Sequence, residues 1–275
     1  MPQRVIEGLD VVTFNGFDAH PGVTHAITTR HGGSSAPPFD TLNLGQHVGD
    51  DRDAVARNRE RLARLVGSPV ERVTFASQVH GTRVAVINER GAGSAVPDTD
   101  ALITAHPGLP IVILVADCVV IGLYDPVRHV AGIAHAGWRG TLGGVAVKTV
   151  ETMRDVFRTD PADLVASIGP SIGPCCYTVG PDVTDAFFAE HPEMADDVLT
   201  PPDFASAGSF EGVSDDRMML DLWQANERLL AGAGVPPDHI ETAGRCTSCE
   251  TDTFFSHRAE SGRTGRFAGV IVIRG

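Results

Sequence analysis

Three short segments place a histidine or a cysteine beside a glycine or at a break in a strand. They are residues 78–81 (QVHG), 116–118 (ADC) and 134–137 (AHAG). Zinc prefers imidazole and thiolate ligands, and a catalytic zinc usually keeps one open position beside three protein ligands. The side chains of His80, Cys118 and His135 are therefore candidate ligands of a mononuclear metal site.

The same side chains suit a second kind of chemistry. Cys118 could act as a nucleophile with His135 or His80 as its base, and Asp117 could orient that base. A cysteine within an apolar strand is also often a small buried hydrophobic residue. Spacing alone leaves these alternatives open.

Arginines beside glycine-rich turns are candidate anion ligands. Arg139 lies in the segment GWRGT ahead of a predicted helix, where backbone N–H groups and a guanidinium together favour a phosphate. Arg30 in TTRHGG and Arg258 in SHR are similar candidates. His47 is a candidate for substrate binding or, like His31, for proton transfer.

The other four cysteines have no assigned role. Cys246 and Cys249 form a lone CxxC pair, without the partner pair of a zinc ribbon or the preceding βαβ pattern of a thioredoxin-like site. Cys175 and Cys176 are adjacent and cannot easily bond to each other. An odd total of five cysteines is a poor disulfide framework, so we expect a reducing, cytoplasmic location.

Hydrophobic periodicity places the candidate ligands on predicted strands. The apolar pattern of 111–124 predicts one strand with a kink at Asp117-Cys118. The chain then returns through an Asp-Pro turn as a second strand at 129–135. This hairpin would bring Cys118 and His135 together, whereas His80 must arrive from a separate strand end. Further strands are expected at 73–76, 83–87, 164–168 and 267–273, and helices at 53–66, 143–157 and 217–230.

The order of these elements predicts the fold class. Strands outnumber helices and often follow one another directly, which indicates an α+β fold rather than a doubly wound parallel sheet. The Pro- and Ala-rich stretch 191–211 is interpreted as a surface loop or lid, because its flanks look too small to fold alone. We therefore expect one domain over residues 1–275.

Composition limits the classes of partner. The 275 residues carry a formal net charge of −13, which argues against non-specific binding to nucleic acid or to anionic membranes. The most apolar stretch, 109–124, is too short and too polar at its centre to span a bilayer, and no secretion signal is evident. We expect a monomeric enzyme that acts on small molecules.

Eight segments, in order along the chain, together resemble one known family. They are TTRHGG (28–33), LNLGQHVGDD (42–51), SQVHGTRV (77–84), DTDALIT (98–104), VADCVVIGLYD (115–125), AHAGWRGTLGG (134–144), SIGPSIGPCCYTVG (167–180) and FFSHRAESGRTGRFAG (254–269). The family is the laccase-domain or polyphenol-oxidase family, better described as purine nucleoside phosphorylases with adenosine deaminase activity. It includes the bacterial peptidoglycan editing factor.

The resemblance implies a fold, a metal and an activity. The fold is a single α+β domain with a mixed β-sandwich flanked by helices, and the zinc ligands fall on His80, Cys118 and His135. The implied reactions are phosphorolysis of adenosine, inosine and methylthioadenosine, and deamination of adenosine. Where the family more often has a Tyr-Arg-Arg run, this chain has Ser256-His257-Arg258, so only the arginine is matched.

Two alternative activities come with the same resemblance. One is hydrolysis of a peptidoglycan precursor, with Cys118 as the nucleophile. The other is copper-dependent oxidation of phenols, although the sequence lacks the several His-rich motifs that a multicopper cluster needs. A zinc-bound water would suit deamination, and arginines such as Arg139 and Arg30 would hold phosphate for phosphorolysis.

Overall fold

The computed structural model describes residues 2–202 and 216–275. Sixteen strands are found in this part of the chain: β1 (Gln3–Ile6), β2 (Leu9–Val12), β3 (Val23–Thr28), β4 (Thr74–Ala76), β5 (Val84–Val86), β6 (Ala95–Val96), β7 (Ala101–Thr104), β8 (Ile111–Val115), β9 (Val119–Asp125), β10 (Val130–Ala136), β11 (Val165–Ile168), β12 (Thr178–Val179), β13 (Leu199–Thr200), β14 (Met218–Leu220), β15 (Ile240–Thr242) and β16 (Phe267–Ile273). The same residues form seven α-helices: α1 (Asn15–Asp18), α2 (Arg52–Leu65), α3 (Trp138–Leu142), α4 (Val145–Phe157), α5 (Pro181–Glu190), α6 (Pro192–Val198) and α7 (Leu222–Gly232).

Two mixed sheets form the centre of the fold. The larger has the order β1-β2-β3-β16-β8-β4-β6, and the smaller has the order β15-β11-β9-β10-β7-β5. A short third sheet, β12-β14-β13, lies outside them. The last strand of the chain, β16, is central in the larger sheet because it pairs with β3 on one side and β8 on the other.

The two large sheets pack face to face. One buried cluster contains Ile113 and Ile271 from the larger sheet together with Val120 and Ile133 from the smaller. Helix α4 covers the outer face of the smaller sheet with Val150 and other apolar side chains, and α2 covers the larger sheet. The expected α+β fold, a mixed β-sandwich flanked by helices, is confirmed.

A buried histidine lies between the two sheets. His25 of β3 donates from Nδ1 to the Val270 carbonyl at 3.0 Å, and its Nε2 accepts from the Ser167 hydroxyl at 2.7 Å. Gly122 leaves room for this contact, because a Cβ there would lie 2.7 Å from the His25 ring and from the Ser167 hydroxyl oxygen. Burial lowers the pKa of His25 from 6.5 to about 4, so the ring is neutral at pH 7.

The predicted hairpin is present, but the strand before it differs from the expectation. In β9 and β10, His135 pairs with Val120 and Ala136 with Val119. Strand β8, however, belongs to the larger sheet and β9 to the smaller, so residues 111–124 are not one strand. The chain passes from one sheet to the other at Asp117, whose φ of 85° lies in the left-handed region.

Two predicted helices also differ in extent. The helix expected at 143–157 is preceded by the separate turn α3, and Gly144 with φ 73° lies between α3 and α4. The helix expected at 217–230 begins only at Leu222, after β14. Short β-pairing with β12 and β13 outweighs the helical pattern there.

The first part of the stretch predicted as a loop or lid contains regular secondary structure. Residues 191–202 include α6 and β13. The remainder of that stretch, from residue 203 onward, lies outside the described residues. No helix in the described part of the chain is long and apolar enough to cross a membrane.

Candidate metal centre and its pocket

The three predicted metal ligands meet at one end of the β-sandwich. His80 lies on the connection from β4 in the larger sheet to β5 in the smaller, and Cys118 lies on the connection from β8 to β9. His135 is near the end of β10, beside the start of β9. The β4–β5 and β8–β9 connections therefore cross between the sheets at the end of the sandwich where β10 ends. This is why side chains far apart in the chain become neighbours.

The ligand atoms of these side chains lie within 4.8 Å of one another. His80 Nε2 is 4.0 Å from Cys118 Sγ, and the His80 and His135 rings meet edge to face with their centroids 4.8 Å apart. A Cβ at Gly137 would lie 3.0 Å from Cys118 Sγ and 3.2 Å from the His80 ring, so glycine makes this approach possible. We call these three residues the His-Cys-His cluster.

One buried carboxylate organises the cluster. Asp100 accepts hydrogen bonds from the backbone N–H groups of Val79, His80 and Gly81 at 2.8–3.2 Å. It also accepts from His135 Nδ1 at 2.8 Å. The loop that presents His80 and the ring of His135 are thus fixed by the same group, which leaves His135 Nε2 for a metal ion.

The electrostatics of the cluster favour a thiolate on Cys118 paired with a protonated His135 when no metal ion is bound. Burial disfavours the Cys118 thiolate, but the charge of His135 and hydrogen bonds from His135 and His80 outweigh it and lower the pKa of Cys118 to about 6. Burial also opposes charge on His135, yet the thiolate and Asp100 raise its pKa to about 9. A metal ion would replace the proton between them, since thiolate and neutral imidazole are the ligand forms.

The cluster faces a pocket of about 770 Å³. Its lining includes the apolar or aromatic side chains of Phe75, Leu114, Trp138 and Tyr177. Gln78 holds the wall together, because its side chain donates to the Leu114 carbonyl at 2.8 Å and accepts from the Leu114 N–H at 3.0 Å. A pocket of this size with apolar walls suits a small organic molecule.

Several cations line this pocket without an anionic partner. Within residues 2–202 and 216–275, Arg59, Arg139, Arg258 and Arg266 form no ion pair with a carboxylate. Arg139 lies over the Trp138 ring at 4.2 Å. A concentration of unpaired arginines in a chain of net charge −13 favours an anionic ligand.

His47 lies in the same pocket as these arginines. Burial, together with the charges of Arg266 and Arg59, lowers its pKa below 6.5. The His47 imidazole is therefore neutral near pH 7 and able to accept a proton.

Asp117 lines the pocket but uses both carboxylate oxygens elsewhere. One accepts from the Thr247 hydroxyl at 2.6 Å, and the other accepts from the backbone N–H of Arg258 at 2.7 Å. The backbone of Asp117 is left-handed, with a φ of 85°. Asp117 therefore fixes the segments that carry Arg258 and Cys118.

Arg30 and His31 are not brought to this pocket. Both line a second depression, where the guanidinium of Arg30 lies 3.1 Å from Glu260 and 3.5 Å from Asp40. Arg30 also donates to the Thr251 carbonyl and is only 11% exposed in its side chain. Its charge is balanced by these partners, so the structure gives no support to the expected role in phosphate binding.

Sequence reasoning missed three residues of the site. Asp100 is the second aspartate of the motif DTDALIT, directly before β7, and its position before a buried strand is the signal that could have identified it. Arg59 on α2 and Arg266 before β16 come from distant parts of the chain. Nothing in their local sequence indicates that they meet at His47.

Comparison with known protein families supports one assignment. Residues 24–274 match the family model described as multi-copper polyphenol oxidoreductase laccase. The chain is 42% identical over 257 residues to the purine nucleoside phosphorylase YlmD of Geobacillus stearothermophilus, covering 91% of this chain and 90% of that protein. It is 36% identical over 250 residues to the purine nucleoside phosphorylase YfiH of Escherichia coli, with 91% and 93% covered.

Solved structures agree with this assignment. The hypothetical protein YfiH of Bacillus licheniformis matches with a TM-score of 0.88 and 34% identity, over 99% of both chains. The YlmD structure from Geobacillus stearothermophilus matches with a TM-score of 0.84 and 40% identity, over 98% of this chain and 97% of that one. Family model, sequence identity and fold thus agree that the chain belongs to the multi-copper polyphenol oxidoreductase laccase family, which includes relatives named purine nucleoside phosphorylase.

Proposed function

We propose that this protein is a metal-dependent purine nucleoside phosphorylase that binds nucleoside and phosphate in the pocket beside the His-Cys-His cluster. The observation that carries the proposal is the combination of three convergent metal ligands with unpaired arginines in one pocket. The activity named for its relatives supports the same assignment. The proposed substrates are adenosine, inosine and methylthioadenosine, with adenosine deamination as a second activity.

The arginines hold the phosphate. In phosphorolysis the ribose develops positive charge while the leaving base gains negative charge, and phosphate must approach the sugar from the opposite side. Arg139 and Arg258 lie at the pocket on the side of Tyr177, with the Arg258 guanidinium 5.2 Å from the centre of the Tyr177 ring. Because no carboxylate neutralises them, both guanidinium groups can donate paired hydrogen bonds to phosphate oxygens.

Proton transfer falls to His47 rather than to Asp117. The neutral His47 imidazole can take a proton from a reacting group and return it. Both oxygens of Asp117 already accept hydrogen bonds, so its function is to position Arg258 and Cys118. Burial raises the pKa of Tyr177 to about 12, so its phenol keeps its proton and can donate a hydrogen bond to the substrate.

The donor set fits a metal ion. His80, Cys118 and His135 would hold it, with the second nitrogen of His135 fixed by Asp100. We propose zinc, which supplies polarisation of a substrate oxygen or nitrogen and a water of lowered pKa. Two histidines and one cysteine also suit a single copper ion. The described residues contain no further histidine cluster of the kind that a multicopper oxidase requires.

The proposal is tested by removing ligands one at a time. His80→Ala and Cys118→Ala are compared with His106→Ala, a histidine outside the pocket, for bound metal by elemental analysis and for turnover of adenosine and inosine. The products are identified by mass in phosphate buffer and in phosphate-free buffer. We expect free base and ribose 1-phosphate only with phosphate, and loss of both metal and turnover in the two ligand variants alone.

Other outcomes point to other functions. Metal loss with retained turnover would make the metal structural. Turnover of a peptidoglycan precursor that survives metal removal but stops on alkylation of Cys118 would support the editing hydrolase. Oxygen consumption with a phenol, together with bound copper, would support a polyphenol oxidase.

A further inference from the structure

The four cysteines without an assigned role converge at one place in the fold. Cys175 and Cys176 lie in the turn between β11 and β12, and Cys246 and Cys249 lie in a second turn after β15. Their sulfur atoms all lie within 4.8 Å of one another. Cys249 Sγ lies 3.6 Å from Cys175 Sγ and 3.4 Å from Cys176 Sγ.

This spacing matches the requirement of a single tetrahedral metal ion. Four sulfurs at a zinc–sulfur distance of about 2.3 Å lie about 3.8 Å from each other. An iron–sulfur cluster holds its cysteine sulfurs around several metal atoms and needs a wider cage. The sulfur separations here are also well above the length of a disulfide bond, about 2.05 Å.

The backbone around the sulfurs is built as a metal-binding turn. The N–H of Cys249 donates to the Cys246 carbonyl at 3.2 Å, which closes the CxxC turn so that both sulfurs face the same way. The backbone N–H of Gly173 donates to Cys246 Sγ at 3.2 Å. An N–H donor to sulfur stabilises a thiolate ligand, because it offsets negative charge on the sulfur.

We propose that Cys175, Cys176, Cys246 and Cys249 bind one zinc ion as a structural site, separate from the His-Cys-His cluster. We call these four residues the four-cysteine cluster. Four thiolates complete a tetrahedral shell and leave no open position, which is typical of structural zinc. This inference does not depend on the proposed function.

The location of the four-cysteine cluster shows what such a zinc would stabilise. Thr247, inside the CxxC turn, donates to Asp117, the neighbour of the metal ligand Cys118. Tyr177, directly after the paired cysteines, lines the pocket. A zinc ion linking the two turns would therefore fix two parts of the pocket wall without contacting the substrate.

The test counts metal on the full chain. Protein is saturated with zinc under a phosphine reductant, dialysed, and analysed for zinc per chain. Four forms are compared: the natural chain, Cys118→Ala, the double variant Cys175→Ser/Cys249→Ser, and the control Ser248→Ala in the same turn. Cys175 and Cys249 are exposed, so their replacement costs little packing.

We expect two zinc ions in the natural chain and in Ser248→Ala, and one in each of the other two forms. A different result would be a single zinc ion in the natural chain, which the double variant loses and Cys118→Ala keeps. That result would support zinc at the four-cysteine cluster and contradict the proposed function. Equal zinc in the natural chain and the double variant would overturn the four-cysteine site. A reduced chain that binds no zinc at these cysteines, or an intact mass showing a disulfide among them under the reductant, would overturn it as well.

Cobalt gives a readout that does not depend on the folding of the double variant. Sulfur-to-cobalt charge-transfer absorption grows with the number of thiolate ligands, and Cys118→Ala would keep only the four-sulfur site. We expect its cobalt form to absorb in the near ultraviolet about four times as strongly as a one-thiolate site. Absorption typical of a single thiolate, or none, would contradict the assignment.

Discussion

Within the part of the chain that the structure describes, metal-binding side chains gather at two places that differ in donor number and in surroundings. The His-Cys-His cluster has three donors and opens into a pocket lined by unpaired arginines. The four-cysteine cluster has four sulfurs on two turns and lies outside the residues that line the pocket. Three donors leave a position for substrate or water, whereas four donors fill a tetrahedral shell.

The two clusters also differ in what positions them. The His-Cys-His cluster rests on strand ends and on one buried carboxylate, Asp100, which binds the His80 loop and the His135 ring together. The four-cysteine cluster rests on two turns that follow the paired strands β11 and β15 and are joined by backbone contacts, such as Thr247 N–H to the Ser171 carbonyl at 3.0 Å. The His-Cys-His cluster is thus fixed by a buried carboxylate, whereas a metal ion at the four-cysteine cluster would cross-link two turns that already touch.

Chelation should produce the largest difference between the clusters. A strong chelator such as 1,10-phenanthroline can enter the open position of the His-Cys-His cluster, so that metal should leave first. Turnover is expected to fall by about 10³-fold or more, because the metal is worth several kcal/mol of transition-state stabilisation. Zinc per chain and turnover are measured in parallel. Turnover that persists until the second zinc leaves would contradict the expectation that turnover depends on the metal that leaves first.

Replacement of Asp100 should weaken the first cluster alone. Asp100→Asn removes the anionic partner of His135 and is expected to lower metal affinity at the His-Cys-His cluster by about 10–100-fold. Competition with a coloured chelator measures the affinity. Asp98→Asn, an exposed aspartate two positions away, is the matched control. An equal loss of metal affinity in the two variants would show that Asp100 does not position the ligands.

Two arginine substitutions sharpen the contrast between the reactive pocket and the neutralised depression. A hydrogen bond to a charged group contributes about 1.5–3 kcal/mol, so Arg139→Ala should raise the KM for phosphate by about 10–100-fold. Arg30→Ala should leave this KM unchanged and lower Tm instead, because Arg30 joins Glu260 and the Thr251 carbonyl. Steady-state kinetics at varied phosphate and a thermal melt distinguish the two. A higher KM in the Arg30 variant would reverse the assignment.

The last prediction concerns the β-sandwich itself, away from both clusters. His25 stays neutral in the folded protein, since burial lowers its pKa to about 4, while the unfolded chain takes up a proton below pH 6.5. Stability should therefore fall between pH 6.5 and 4, with a contribution of up to about 3 kcal/mol from this residue.

His25→Asn, whose amide can still donate to the Val270 carbonyl, provides the test of that contribution. Urea unfolding of metal-free protein, at several pH values, excludes the acid release of metal that both clusters share. The variant is expected to be less stable at pH 7 but to lose less stability on acidification. An unchanged dependence on pH would show that His25 is not the source.

Local sequence predicted much of the secondary structure, and it singled out the three side chains that converge in the His-Cys-His cluster. The apolar run of β16 at 267–273 and the hairpin of β9 and β10 follow from periodicity and from the Asp-Pro turn. The wrong expectation was that 111–124 form one strand, because an apolar run carries no signal of which sheet each half joins. The arginine at position 30 was expected near phosphate, yet its distant partners neutralise it.

The sequence by itself determined that residues 80, 118 and 135 carry metal-binding side chains, since ligand chemistry is a property of each side chain. Only the tertiary structure decided which groups surround them. Asp100, Arg59 and Arg266 reach the site through long-range pairing of strands, and four scattered cysteines meet through two turns. Such contacts depend on the packing of the two sheets, and no local pattern encodes the distance between residues that are far apart in the chain.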